Sequence, residues 1–362
     1  MNIEELRKQI DTTDEKLLQL LAVRLRLAAE IGQAKRADGR PIINLEREAE
    51  VIAHVTNVAR QAGLDQASAE AFMRLIIKLS RGMQAARVAF QGEPGAYSQQ
   101  AAVAFFGRGT QTLPQESLEE VFKAVAAGDA GYGVVPVENS LEGSISRTYD
   151  LLLESDLKVS GEIELKVTHC LIANPGTTLD GVKKIYSHPQ ALGQCQAFLK
   201  HMGWEIIPTY DTAGSVKMIK EKKIADGAAI ASAEAAALYG MSVLSCSLED
   251  SPSNFTRFFI LSKQDAPPTG CDKTSLVFSV KHQPGSLYGF LGELSERGLN
   301  LTKIESRPTR KTPWEYNFYL DFEGHRQDAR VKEVLGKLER YATFIKVLGS
   351  YPKASRGEDA CR

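Results

Sequence analysis

Cationic side chains recur at helical spacing in the first 86 residues. Arg24 and Lys35 are 11 residues apart, close to three whole helical turns, so both lie on one helix face. Ser80 and Gln84 share a face in the same way, at positions i and i+4. Arginine matches the planar geometry of a carboxylate. The pattern is typical of a site for a small dianion, although a solvated charged face has the same spacing.

The elements that must position these side chains are helical. Apolar residues at helical spacing predict a first helix from Ile3 to about Arg36. Pro41 ends it, and helices near 45–61 and 66–84 follow. A helix of that length spans about 50 Å, which is longer than a compact 86-residue domain is wide. A partner chain is therefore expected to cover part of it.

The segment LRKQIDTTDEKLLQLLAVRLRLAAEIGQAK, with NLERE and SRGMQ after it, resembles the all-helical chorismate mutase family. The resemblance implies that arginines bind the two carboxylates of chorismate, that Lys35 and Gln84 are catalytic at the ether oxygen, and that Glu48 binds the ring hydroxyl. The chorismate-binding residues so implied are Arg7, Arg24, Lys35, Asn44, Arg47, Glu48, Ser80 and Gln84.

This rearrangement is pericyclic, so it needs a compact bound conformer and stabilised charge on the ether oxygen, without a nucleophile or metal. Arg7 lies 17 residues before Arg24, about 25 Å along a continuous helix. Arg7 is therefore expected to enter the site of a partner, and the active unit is expected to be a homodimer or a higher homo-oligomer.

From Arg87 the pattern changes to short strands alternating with helical segments, among them ARVAFQG, HCLIANP and FTRFFILS. The alternation over 87–262 indicates two small α/β lobes with a cleft between them. One helix is predicted over 191–202 and another begins at Asp211 or Thr212 as N-cap. His169, in an apolar strand, is interpreted as a satisfied buried histidine.

The motifs GEPGAYS, VVPVEN, YSHPQALGQC and NFTRFF, in this order, resemble prephenate dehydratase, whose fold is two-lobed and similar to periplasmic binding proteins. The reaction expels a ring hydroxyl and carbon dioxide, so it needs a proton donor and carboxylate anchors. The resemblance implies that Thr256 is catalytic. It further implies a set of prephenate-binding residues: Glu138, Asn139, Ser187, Gln194 and Arg257. Glu138 is a candidate proton reservoir, and no cofactor or metal is expected.

The remaining segments predict a linker over 263–273, which is polar and proline-rich, and a βαββαβ ferredoxin-like module over 274–352. The tail 353–362 is expected to be disordered. PGSLYGFL and ESRP resemble the ACT domain of this dehydratase family, whose effector is phenylalanine. The effector residues so implied are Gly285, Ser286, Leu287, Glu305, Ser306, Arg307 and Pro308. A dimerisation module without a ligand is the alternative.

Composition excludes several classes of function. The 362 residues carry 44 Lys and Arg against 45 Asp and Glu, a net charge of -1, which gives no general attraction for nucleic acid or an anionic membrane. The five cysteines have no CxxC spacing and predict neither a disulfide framework nor a zinc site. A signal peptide and apolar runs of about 18 residues are lacking. A cytoplasmic protein is expected.

Together these features predict a multidomain enzyme with an all-α mutase module (1–86), an α/β dehydratase module (87–262) and an ACT regulatory module. It would convert chorismate to prephenate and prephenate to phenylpyruvate, with feedback inhibition by phenylalanine. Two alternatives remain open. The helical module serves only for dimerisation in a monofunctional dehydratase, or the two lobes belong to a non-catalytic protein that senses an amino acid.

Overall fold

The computed structural model describes residues 2–37, 44–84, 87–309 and 315–354. Two compact units make up the chain: Met1–Ala86 with Val103–Gln111, and Arg87–Ala102 with Thr112–Arg362. Four predictions fall wholly or partly outside the described part: the helix break at Pro41, the side chain of Gln84, the cysteine Cys361 and the disorder of the tail after residue 354.

The first unit is built on long helices, as predicted. They are α1 (Ile3–Ala37), α2 (Leu45–Gln61) and α3 (Gln66–Gln84). At 35 residues, α1 is about 50 Å long, and its side chains Ile10, Leu17 and Leu20, which share one helix face, are each more than half exposed. An apolar stripe therefore stays uncovered within one chain.

The first lobe of the second unit is a mixed sheet with the strand order β2-β1-β3-β11-β5, in which β4 pairs with β3. Its strands are β1 (Val88–Gln91), β2 (Thr112–Gln115), β3 (Tyr132–Asn139), β4 (Gly143–Ser144), β5 (Lys158–Lys166) and β11 (Phe255–Ser262). Strand β1 is parallel to β2 and β3, whereas β11 runs antiparallel between β3 and β5. The helices of this segment are α4 (Tyr97–Phe106), α5 (Leu118–Ala127) and α6 (Ser146–Glu154).

The second lobe has the strand order β10-β6-β9-β7-β8. Its strands are β6 (Cys170–Ala173), β7 (Lys184–Ser187), β8 (Glu205–Pro208), β9 (Gly227–Ala231) and β10 (Ser242–Cys246). Its helices are α7 (Pro189–Gly193), α8 (Gln196–Lys200), α9 (Thr212–Glu221) and α10 (Ala233–Tyr239). Because β11 returns to the first sheet, the chain crosses between the lobes twice, at 167–169 and 247–254. The prediction of two α/β lobes is confirmed.

The single helix predicted over 191–202 is wrong, because it is divided into α7 and α8 at Gln194 and Cys195. The carbonyl of Gln194 accepts from the backbone N–H of Asp250 at 2.7 Å. The Asp250 carboxylate in turn accepts from the first N–H groups of α8, those of Gln196 and Ala197. A contact distant in sequence thus replaces the helical hydrogen bonds.

The third module has the predicted βαββαβ order. Its elements are β12 (Asp272–Val280), α11 (Ser286–Ser295), β13 (Leu301–Pro308), β14 (Tyr316–Glu323), α12 (Ala329–Leu338) and β15 (Ala342–Pro352). They form an antiparallel sheet with the order β13-β14-β12-β15. One sheet face packs on α11 and α12 through Phe278, Phe290 and Leu294.

The other face of this sheet shares a hydrophobic core with the first dehydratase lobe. Val277, Tyr319 and Tyr351 pack in one cluster with residues of that lobe. Ala266, in the predicted linker, is buried in the same cluster, and its carbonyl lies 3.1 Å from His325 Nε2. The segment is therefore packed rather than a spacer. In the predicted tail, Ala354 N donates to Glu162 at 2.9 Å.

The prediction that the cysteines form no disulfide is wrong. Cys170 on β6 and Cys246 on β10 are bonded across the antiparallel strand pair, with a Cα–Cα distance of 4.0 Å. Cys271 is also disulfide-bonded, whereas Cys195 is a buried free thiol. Strand pairing joined cysteines that are 76 residues apart, and sequence spacing gave no sign of it. Among the described residues, no helix is long and apolar enough to cross a membrane.

Candidate functional site

The cationic site of the helical unit forms where α1, α2 and α3 meet. Arg24 Nη1 donates to Ser80 Oγ at 2.5 Å, and Ser80 Oγ donates to the carbonyl of Ile76 at 2.8 Å. Ser80 is buried, and burial lowers the pKa of Arg24. Two residues predicted from separate helices are thus brought together, and the guanidinium is held in a fixed position.

Lys35 and Glu48 also belong to this site. Burial lowers the pKa of Lys35, and the negative charge of Glu48 acts in the opposite direction. Glu48 is itself held by Arg81, whose Nε donates to Glu48 Oε1 at 2.8 Å. Arg81 was not among the predicted site residues, although it follows Ser80 directly. Its pairing with Glu48 crosses from α3 to α2, so no local spacing indicates it.

Other predicted mutase residues lie apart from this cluster. Asn44 caps α2, because its Oδ1 accepts from Arg47 N at 2.9 Å. The Arg47 side chain is 69% exposed and pairs with Glu50. Arg7 is exposed on the first part of α1. A single chain therefore gathers Arg24, Lys35, Glu48 and Ser80, and it leaves Arg7 and Arg47 at the surface.

In the dehydratase module, the turn of the GEPGAYS motif follows β1. Gly92 and Gly95 have φ of +109° and +94°, a region that favours glycine. A Cβ on Gly92 would lie 2.8 Å from Asp211 Oδ2, and one on Gly95 would lie 3.0 Å from the Ala235 Cα. Asp211 caps α9, one of the two predicted alternatives. The glycines thus let helices of the second lobe approach this turn closely.

Thr256 and Asn139 form a pair at the junction of the lobes. Asn139 is the last residue of β3, and the strand register places it directly opposite Thr256 on β11. Asn139 Nδ2 donates to Thr256 Oγ1 at 3.1 Å. Its Oδ1 accepts from the backbone N–H groups of Leu141 and Glu142, which fixes the orientation of the amide. Because Asn139 is the donor, the threonine hydroxyl retains its own proton for donation.

A chain of side-chain hydrogen bonds extends from this pair into the second lobe. Asn139 Nδ2 donates to Asn254 Oδ1 at 2.8 Å, and Asn254 Nδ2 donates to Gln194 Oε1 at 2.8 Å. Gln194 Nε2 then donates to Glu142 Oε1 at 2.8 Å. Asn254 and Glu142 were not among the predicted site residues, although Asn254 begins the NFTRFF motif. We call Thr256, Asn139, Asn254, Gln194 and Glu142 the cleft network.

His169 supports the cleft network from the crossing segment. Its Nε2 is 2.9 Å from Gln194 Oε1, and its Nδ1 is 3.1 Å from the Tyr97 hydroxyl. Burial lowers the pKa of His169, so the neutral ring is favoured. The interpretation of His169 as a satisfied buried histidine is confirmed, and the ring has the additional effect of orienting Gln194.

Glu138 and Arg257 lie on the opposite side of the sheet from Asn139 and Thr256, because side chains alternate along a strand. Arg257 Nη2 is 3.0 Å from Glu138, and Nη1 is 2.8 Å from Asp321 and 3.3 Å from Glu162. Burial works to lower the pKa of Arg257, but Asp321 and other acidic neighbours raise it above its ordinary value. This guanidinium is thus neutralised by carboxylates of the protein, and its proposed contact with prephenate stays a prediction.

Ser187 is separate from the cleft network. It is fully buried in β7, and its hydroxyl donates to the carbonyl of Ile230 on β9 at 2.6 Å. It therefore stabilises the sheet of the second lobe. Of the predicted prephenate residues, the structure brings Asn139 and Gln194 together with Thr256. Within the described residues, no group of three or more His, Cys, Asp or Glu could hold a metal ion.

The predicted effector residues of the third module are divided between two places. Gly285, with φ of +84°, precedes α11. Ser286 and Leu287 line a cavity of about 560 Å³ whose wall includes Tyr316, Phe318 and Phe344. Ser306 and Pro308 pair in register with Phe318 and Tyr316 of this wall.

Glu305 and Arg307 instead contact the dehydratase lobe. Glu305 accepts a hydrogen bond from Ser144, and Arg307 donates to the carbonyl of Ser146. Arg307 Nη1 also lies 3.2 Å from Asp150. The alternation of β13 thus places two of its motif residues against the dehydratase and two beside the cavity.

Comparison with known proteins finds the same modules in the same order. A chorismate mutase type II model matches residues 6–85, a prephenate dehydratase model matches 88–266, and an ACT domain model matches 274–340. The chain is 39% identical to the bifunctional chorismate mutase/prephenate dehydratase of Stutzerimonas stutzeri and 40% identical to that of Aquifex aeolicus. Each alignment covers 97% of this chain and 98% of the relative.

Among solved structures, the prephenate dehydratase of Arthrobacter aurescens in complex with L-Phe matches with a TM-score of 0.68 and 31% identity. That match covers 74% of this chain and 90% of the other. Its extent fits the two-lobed fold and the ACT sheet described above. With three modules in order and similarity along nearly its whole length, this chain belongs to the bifunctional chorismate mutase/prephenate dehydratase family.

Proposed function

We propose that the protein is a bifunctional enzyme that rearranges chorismate to prephenate and then converts prephenate to phenylpyruvate. The observation that carries this proposal is the identity of 39% and 40% to two relatives of that name over 97% of the chain. The geometry supports it, because Arg24 with Ser80 and Thr256 with Asn139 lie within hydrogen-bonding distance.

The first reaction takes place in the helical unit. Arg24, held by Ser80, binds a carboxylate of chorismate in the compact conformer that the rearrangement requires. Lys35 and Gln84 donate to the ether oxygen, where negative charge develops as its bond to carbon breaks. Glu48, oriented by Arg81, accepts from the ring hydroxyl. The electrons move in one cyclic step, so no group of the protein is consumed.

A second copy of the chain completes this site. Arg7 lies 17 residues before Arg24 on α1, about 25 Å away, and the apolar stripe of α1 is exposed in one chain. Burying that stripe against the same helix of a second copy removes apolar area from water and brings Arg7 to the partner's site. Light scattering is expected to give the mass of a dimer or a multiple of it.

The second reaction takes place at the cleft network. Thr256 donates its proton to the ring hydroxyl of prephenate as the carbon–oxygen bond breaks, and water leaves. The bond between the ring and its carboxylate breaks at the same time, its electron pair enters the ring, and carbon dioxide leaves. Aromatisation drives the step. The Thr256 oxygen then takes a proton from water in the cleft. We assign the carboxyl that supplies this water to Glu142 rather than Glu138, because Glu142 belongs to the cleft network, whereas Glu138 pairs with Arg257 and Lys303 on the opposite face of the sheet.

L-phenylalanine is the proposed feedback inhibitor. Its carboxylate would bind backbone N–H groups in the first turn of α11, after Gly285. Its ring would enter the cavity beside Leu287, Tyr316 and Phe318. Inhibition requires that phenylalanine bind one conformation of the dehydratase better than another. The cytoplasmic location stays a prediction, which fractionation of cells tests.

The test uses chorismate as the sole substrate, follows prephenate and phenylpyruvate together, and compares the wild type with T256A and T256S. We expect T256A to accumulate prephenate without phenylpyruvate, and T256S to regain part of the second reaction because it restores the hydroxyl. If the wild type leaves chorismate intact but converts added prephenate, the helical unit serves only for dimerisation. If it converts neither, the two lobes only bind a ligand.

A further inference from the structure

A cluster of buried charges joins the ACT sheet to the dehydratase sheet. Lys303 and Asp321 are cross-strand partners on β13 and β14, and Glu138 and Arg257 are cross-strand partners on β3 and β11. The two pairs face each other. Asp321 Oδ2 lies 2.8 Å from Arg257, and Lys303 Nζ lies 3.1 Å from Glu138 Oε1.

Glu138 is the member of this cluster that both modules share. Its Oε2 lies 3.0 Å from Arg257 of its own sheet, and its Oε1 lies 3.1 Å from Lys303 of the ACT sheet. Each oxygen of the Glu138 carboxylate is therefore paired with one cationic side chain. The Lys303 side chain is only 10% exposed, so its removal would leave a partly buried carboxylate with half of its neutralising charge.

Lys303 is held in place by further contacts. Its ammonium donates to Ser144 Oγ at 2.7 Å and lies 3.3 Å from Glu305 on its own strand. Ser144 belongs to β4, and the register of β4 pairs it with Glu138. The ammonium thus binds two neighbouring residues of the dehydratase sheet at the point where β3 ends.

The position of Glu138 affects the catalytic pair through the backbone. Asn139 is the next residue and the last of β3, and Thr256 is the second residue of β11. Strand ends fray unless side chains hold them. The ion pair of Glu138 and Arg257 on one sheet face therefore stabilises the end of the β3–β11 pairing at which Asn139 meets Thr256 on the other face.

We propose that Lys303 of the ACT domain is a positioning residue for the dehydratase reaction, acting through Glu138 on the hydrogen bond between Asn139 and Thr256. This inference rests on the proposed function, since it assumes that Thr256 donates the proton. It makes the ACT module a part of the dehydratase active structure as well as its regulatory domain.

The test compares K303M with the control K346M in the full-length protein, with prephenate as substrate. Lys346 is also a partly buried lysine of the ACT sheet that binds the dehydratase lobe, but its Nζ donates to the carbonyls of Leu153 at 2.8 Å and Ser155 at 2.6 Å, away from the charge cluster. We expect K303M to lower kcat about tenfold or more, as for a misplaced catalytic group, with KM changed less than about threefold. We expect K346M to keep kcat within about twofold, because Lys346 contacts no member of the charge cluster, and K303R to recover most of the activity.

A double-mutant cycle with Glu138 distinguishes positioning from loss of folding. If Lys303 acts through Glu138, then K303M in an E138Q background lowers kcat less than about twofold further. Circular dichroism checks folding, and K303Q replaces K303M if that variant is unfolded at the assay temperature. Equal effects of K303M and K346M, or full additivity with E138Q, would overturn the proposal. A wild type that makes no phenylpyruvate refutes the proposed function instead.

Discussion

Asn254 is the residue on which the cleft network depends most, and its replacement by alanine gives a quantitative test. It is fully buried, and its amide joins Asn139 of the first lobe to Gln194 of the second with two hydrogen bonds of 2.8 Å. A typical buried hydrogen bond contributes about 1 kcal/mol net. Loss of both hydrogen bonds is therefore expected to lower the free energy of unfolding by about 2 kcal/mol.

N254A leaves neither former partner of Asn254 without a hydrogen bond, so the larger penalty for a buried unsatisfied polar group does not arise. In this variant Asn139 Nδ2 still donates hydrogen bonds to the carbonyl of Phe255 at 3.2 Å and to Thr256 Oγ1 at 3.1 Å. Gln194 Oε1 retains its hydrogen bond with His169 Nε2 at 2.9 Å. The free energy of unfolding is therefore expected to fall by about 2 to 3 kcal/mol, the upper end including the small cavity left by the amide.

The effect on catalysis is expected to be larger than this change in stability suggests. Without Asn254, the Asn139 amide is less firmly fixed against Thr256, and a displacement of about 1 Å at a reacting group costs up to about a hundredfold in rate. We expect kcat for prephenate to fall between about tenfold and a hundredfold, with the mutase rate of the same sample as the reference for enzyme concentration.

The matched control is N174A. Asn174 Nδ2 donates one hydrogen bond of 2.9 Å to the carbonyl of Ile224 within the second lobe, outside the cleft network. Its loss is expected to cost about 1 kcal/mol with kcat unchanged. Urea unfolding measures the stability, and phenylpyruvate formation measures the rate. The reasoning is refuted if N254A unfolds within about 0.5 kcal/mol of the wild type, or if both variants lose activity equally.

Two further predictions follow from the same lobes. Burial lowers the pKa of His169 below its ordinary 6.5, so below that pH the unfolded chain binds a proton that the folded protein does not. The contribution of neutral His169 to the free energy of unfolding is therefore complete above about pH 6.5. Below about pH 6.5 the free energy of unfolding falls by up to about 1.4 kcal/mol per pH unit. Urea unfolding at pH 7.5 and 5.5 should show a smaller loss for H169Q, and equal losses would contradict this assignment. The Cys170–Cys246 bond closes a segment of 76 residues, for which chain entropy gives about 4.5 kcal/mol. Under oxidising conditions C246S should unfold at lower urea than the wild type, and equal midpoints would show that the bond does not form.

The sequence alone predicts the elements well wherever the signal is local. The helices over 45–61 and 66–84 have the predicted bounds, because helical periodicity depends only on neighbours three and four residues apart. The βαββαβ order of the last module and the cap of α9 follow from equally local patterns. The resemblance to prephenate dehydratase names both Thr256 and Asn139, and only the structure shows that they are joined by a hydrogen bond.

Interactions between distant segments were decided by the tertiary structure. Arg81 meets Glu48 33 residues away, and Asn254 meets Gln194 60 residues away. The disulfide joins Cys170 to Cys246, because two strands became neighbours in one sheet. No spacing rule spans such separations, since the chain path between the partners depends on how sheets and helices pack.

The same limit explains the division of the predicted dehydratase site. Strand alternation by itself determines that Thr256 and Arg257 project from opposite faces of the sheet. Only the packing of the ACT sheet decides that the Arg257 face is closed by Asp321 and Lys303. The sequence thus determined the modules, their order and the candidate chemistry. The tertiary structure decided which of those polar groups reach the cleft, because burial and pairing of charge depend on surfaces far apart in the chain.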